Sequence, residues 1–65
     1  MHSVQITDNR GYSLHLKYWG NFIFSIHDID KSLEKYNCVF VVQGHIHYLN
    51  FNTYEDFIYF QLEWS

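Results

Sequence analysis

The run CVFVVQGHIHYLNF, residues 38–51, constrains this chain more than any other stretch. β-Branched and aromatic residues fill it almost without a break, a composition suited to a pleated, half-buried surface. Its one glycine, Gly44, predicts one of two arrangements. It closes a tight hairpin between strands 39–43 and 45–51, or it marks a bulge in one long bent strand. Side chains alternate along a strand, so His45 and His47 are expected on one face in either case.

The 65 residues amount to a single compact domain, 1–65. Domains this small bury only about 60% of the surface their unfolded chains expose, so each large side chain matters. Six Phe, six Tyr and two Trp make 22% of the chain aromatic, and the 48% hydrophobic share sets it apart from disordered sequences. Cys38 is the only cysteine and has no internal partner, which points to a reducing compartment. No basic segment leads into an apolar run, and no stretch approaches the ~20 apolar residues of a membrane span. The expected location is the cytoplasm of a bacterium or of an infected host cell.

Alternation predicts further strands. Residues 2–7 place Val4 and Ile6 on one side, and Asp8-Asn9-Arg10-Gly11 reads as a turn. Residues 12–19 and 22–27 alternate again around Gly20-Asn21, a hairpin signal, so the three segments form a meander. Residues 57–64 are read as a last strand on their β-branched and aromatic content, although Thr53 and Asp56 also fit the cap of a terminal helix. The only helical pattern spans residues 28–36, with Ile29, Leu33 and Tyr36 on one stripe, Asp28 and Asp30 at its start and Asn37 as its stop. The expected fold is therefore α+β: a small antiparallel sheet of five to six short strands with one short helix packed on one face.

On that reading the solvent side of the sheet gathers His15, Lys17, Trp19, His27, His45, His47, Tyr59 and Glu63. Trp19, with Phe51 and Phe57 in the same layer, makes an apolar patch of the kind that marks a contact surface. The net charge is −3, and residues 36–65 contain Glu55, Asp56 and Glu63 with no Lys or Arg. Direct nucleic-acid binding needs cations there and is not expected.

Other chemistry has less to stand on. His45 and His47 present two imidazoles at strand spacing, with His15, His27 or Glu63 available as a third ligand, so a His-based metal site is one alternative. Gly44-His45-Ile46-His47 after an apolar strand also resembles the last metal-binding motif of the calcineurin-like metallophosphoesterases. In that family the remaining ligands come from earlier strand ends of a much larger two-layer domain, which 65 residues cannot supply. The likeness covers four residues and implies no such activity here. Cys38 leads into the most apolar strand and reads as a small buried hydrophobe; there is no phosphate loop and no nucleophile elbow. The chain is read as a non-enzyme without a cofactor.

These features together predict a protein-binding module that inhibits by occupying a partner's surface. Its anchors are Trp19, Tyr59, His15, His45 and His47, ringed by Asp28, Asp30, Glu34, Glu55, Asp56 and Glu63. In kind it is similar to phage or mobile-element anti-defence proteins, anti-CRISPR-like, or to toxin-immunity proteins. The partner is then a host or toxin protein; where it handles nucleic acid, the carboxylates stand in for phosphates. A homodimer built through the edge of residues 38–43 is the other alternative.

Overall fold

A computed structural model describes all 65 residues, Met1–Ser65. The strongest sequence feature forms a hairpin. β2, Cys38–Gln43, and β3, Ile46–Phe51, are joined by Gly44 and His45. Gly44 takes φ +62° at the first turn position, where a side chain would be strained, and this resolves the choice between hairpin and bulge. β1, His2–Gln5, pairs antiparallel with the other side of β3, giving the order β1-β3-β2.

After β1 the chain turns on Asp8, whose Oδ1 accepts the backbone N–H groups of Arg10 and Tyr12 at 2.8 and 3.0 Å. Gly11 sits at φ +88° with its Cα packed so close to the His45 carbonyl that an added Cβ would stand 3.0 Å from that oxygen. Only glycine meets both demands. Helix α1, Lys17–Ile23, then buries Trp19 and Phe22, and α2, Ile29–Glu34, buries Leu33. Asp28 caps α2 by accepting the Lys31 N–H at 3.1 Å. Asn37 reverses the chain in the left-handed region, φ +52°, and leads into β2. Helix α3, Tyr54–Trp64, opens with a complete capping box between Thr53 and Asp56.

All three helices pack on one face of the sheet. Register places His2, Phe51 and Cys38 in one inward row and Val4, Leu49 and Phe40 in the next. These rows meet Ile6, Trp19, Phe22, Leu33, Tyr36 and Phe60 in a single core. Phe60 is fully buried, and its ring lies 5.0–6.0 Å from those of Tyr18, Phe22, Tyr36 and Phe51. No helix is long and apolar enough to cross a membrane.

The α+β class with an antiparallel sheet is as expected, but the sheet has three strands, not five to six, and three helices cover it instead of one. Residues 12–19 and 22–27 are not strands: they form a loop, α1 and the turn after it, and Gly20-Asn21 lies inside the helix. The same rings that alternate also repeat at helical spacing, with Trp19, Phe22 and Ile23 on one stripe. Residues 57–64 fail as a strand for the same reason, since Phe57, Phe60 and Trp64 fall at i, i+3 and i+7. The capping box decides between the two periods. A helix does form within residues 28–36, but over Ile29–Glu34 alone; Ile29 and Leu33 face the core from it and Tyr36 from the turn that follows, and the turn at residues 8–11 is present.

Phe60→Ala removes the central ring and should cost about 3–5 kcal/mol. A domain of this size has only about that much stability, so the variant should be largely unfolded in water, as far-UV circular dichroism would show. Thr53→Ala should lower unfolding free energy by about 1 kcal/mol in a urea titration.

Candidate docking surface

The residues expected to share one exposed sheet face do not do so: His15, Trp19 and His47 border one groove on the helical side, whereas Tyr59 and His45 lie elsewhere. Trp19 is only 9% exposed and stacks on Phe40 at 6.3 Å with an interplanar angle of 4°. His47 faces inward, edge-on to Phe40 at 5.3 Å, whereas His45 sits in the hairpin turn. His15 lies in the exposed loop before α1. Tyr59 stands on the outer face of α3, half exposed, beside Tyr36 at 5.7 Å. Trp19, Tyr59, His15, His45 and His47 therefore do not form one sheet face, because two of the segments that would have aligned them are helical. No three His, Cys, Asp or Glu side chains converge closely enough to hold a metal ion.

Half of the expected carboxylates serve local structure. Asp28 caps α2, and Asp56 completes the α3 capping box while accepting Asn37 Nδ2–H at 3.2 Å. Glu63 accepts from Lys35 Nζ at 3.1 Å, and this hydrogen bond holds its carboxyl below the usual range and raises Lys35 in turn. Asp30, Glu34 and Glu55 are exposed. Every one of the six belongs to a helix or its cap, so the acidic character lies on the helical side.

What remains is the other face of the sheet, which no helix covers. Strand register puts Ser3 and Gln5 of β1, Ile46, Tyr48 and Asn50 of β3, and Val39, Val41 and Gln43 of β2 on that face. None of the eight is charged, although 17% of the chain is. Val39 is 62% exposed, and Ser3 Oγ donates to Asn50 Oδ1 at 2.7 Å across the strands. Two shallow hollows mark the face. One of about 320 Å³ lies among Met1, Asn37, Val39 and Asn50, and one of about 170 Å³ among Ser3, Val41, Gln43 and Tyr48. Apolar and amide side chains without charge are the composition of an interface centre. A sheet covered on one side ordinarily alternates apolar-in and polar-out, and continuous apolar runs belong to strands covered on both sides. Val39 to Val42 form such a run. That run was visible in the sequence and was the available signal for this face.

A groove runs past Trp19 on the helical side. Two hollows of about 480 and 320 Å³ share Ser13, Trp19 and Ile23, and they extend to Leu14 and Phe24 at one end and to Phe40 and His47 at the other. Trp64 Nε1 donates to the Tyr36 hydroxyl at 2.9 Å, while the Trp19 indole has no such partner. Since no fully buried polar side-chain atom lacks one, Trp19 Nε1 is open to solvent.

Cys38 lies 5% exposed against the core, and burial pushes its thiol up to about 12. No protein-family model, curated protein or solved structure matches this chain.

At pH 8 the folded Cys38 should alkylate with iodoacetamide much more slowly than in the urea-unfolded chain, because burial disfavours its thiolate; mass spectrometry of the time course checks this. Glu63 has a lowered folded pKa, so its contribution to stability is present above the ordinary carboxylate range and disappears as pH falls through the folded value. Glu63→Gln should therefore make the acid-side loss of stability shallower, measured as urea midpoints from pH 6 down to pH 3.

Proposed function

We propose that this chain is a protein-binding module that acts by covering a surface of a partner protein, as small inhibitor and immunity proteins do, and that it docks through the open face of its sheet. The observation that carries this reading is the charge-free outer face of β2 and β3, whose apolar run is of the kind that strands covered on both sides show. Tyr48 and Ile46 supply anchors, Val39 and Val41 supply flat apolar area, and Gln5, Gln43 and Asn50 supply hydrogen-bonding amides at the margin.

The acidic helical side then points away from the partner. It sets the long-range field that orients the approach and adds little to the contact itself. This departs from a docking site made of carboxylates standing in for phosphates, because three of the six carboxylates are already engaged in caps or an ion pair.

Affinity capture from cells that express the chain would test this with three forms: wild type, Val41→Glu/Tyr48→Glu on the sheet face, and Glu55→Lys/Leu62→Lys on α3. Wild type and the α3 variant should recover the same specific protein, and the sheet variant should lose it while keeping its circular dichroism. Loss with the α3 variant and retention with the sheet variant would move the docking site to the helices.

A further inference from the structure

The edge of β2 makes a demand distinct from that of its face. A two-residue turn places Gln43 and Ile46 in a hydrogen-bonded pair, so by alternation Val41 with Tyr48 and Val39 with Asn50 are also hydrogen-bonded pairs. Phe40 and Val42 consequently aim their N–H and C=O groups away from β3. Neither takes part in any backbone hydrogen bond outside the regular elements. β2 is the last strand on its side of the sheet, so this row is unpaired. Val42, on the helix-covered face, is 52% exposed, so the helices leave that end of the strand accessible.

Unpaired edges are ordinarily protected by Lys, Pro, a bulge or a very short strand. β2 has six residues, Cys-Val-Phe-Val-Val-Gln, and none of these devices. Its composition is that of an interior strand at the rim of the sheet. The occupant that satisfies such a row is another extended strand.

We propose that the occupant is the β2 of a second copy, paired antiparallel across a two-fold axis perpendicular to the sheet. The strand is self-complementary in that arrangement. Phe40 faces its own counterpart and Cys38 faces Val42 of the other copy, so all inward side chains meet apolar partners. Each copy has net charge −3, and residues 38–43 carry no charge, so no like charges oppose one another within the paired strands. The product is one six-stranded sheet in the order β1-β3-β2-β2-β3-β1, with all helices on one side. Its other side is a single uncharged face of twice the area, since the pairing uses the edge and leaves the face free. It therefore stands or falls separately from docking at that face.

Sedimentation equilibrium from low micromolar to near-millimolar concentration tests it. Wild type should rise from the 8.0 kDa chain mass toward twice that value. Val42→Lys, which puts an ammonium on the edge, should stay at the chain mass throughout, and Gln5→Lys on the far strand should associate like wild type. Hydrogen exchange on wild type is the second readout: the Phe40 and Val42 amides should exchange fast when dilute and slowly when concentrated. A wild type that keeps the chain mass at every concentration, equal association of Val42→Lys, or concentration-independent exchange at Phe40 and Val42 would each overturn the pairing.

Discussion

Phe60 is the contact through which the other elements are held together. Its ring meets Tyr18 and Phe22 from the first helix, Tyr36 from the segment between α2 and β2, and Phe51 from the central strand. Most of these contacts are edge-to-face, the geometry that aligns the positive rim of one ring with the negative face of the next. A chain of 65 residues has no second core to fall back on, and aromatic side chains give the most buried area per residue. α3 has 11 residues, too few to be helical alone, so it exists because Phe57 and Phe60 pack on Phe51 of the sheet and Phe60 and Trp64 pack on Phe22 of α1.

Helices on one face of a three-stranded sheet divide the molecule into two unlike halves. The helical half holds the carboxylates that cap or pair, together with Lys17, Lys31 and Lys35; the sheet half holds amides, valines, Ile46 and Tyr48. Solvation explains the first half. It does not explain why Val39 and Val41 should lie uncovered when Thr, Lys or Glu would fill those positions in a sheet meant to face water. Docking at that face answers this discrepancy, while pairing at the β2 edge answers a separate one, the unprotected row of backbone groups at Phe40 and Val42.

The parts of the fold legible in the sequence were those with a single period or a definite turn residue. Residues 38–51 alternate and break only at Gly44, and Ile29, Leu33 and Tyr36 repeat only as a helix. Residues 12–27 and 57–64 were not legible from hydrophobicity, since chains this rich in rings satisfy periods of two and of 3.6 together. In the second of these segments the polar pair Thr53 and Asp56 carried the answer. The expected docking patch depended on strand parity, so it failed wherever a strand was a helix. Trp19 moved from surface to core for that reason, and Tyr59 moved to another side of the molecule. The sheet face survives because it rests on the hairpin alone.

Asn37 ties three chain reversals into one. Its left-handed backbone ends the turn after α2, its carbonyl accepts the Asn52 N–H at 2.9 Å where β3 ends, and its side chain reaches Asp56 at the start of α3. The exits of a helix and a hairpin and the entrance of the last helix thus share a single residue. A substitution at Asn37 therefore perturbs three chain reversals at once: the exit of α2, the end of the hairpin and the start of α3.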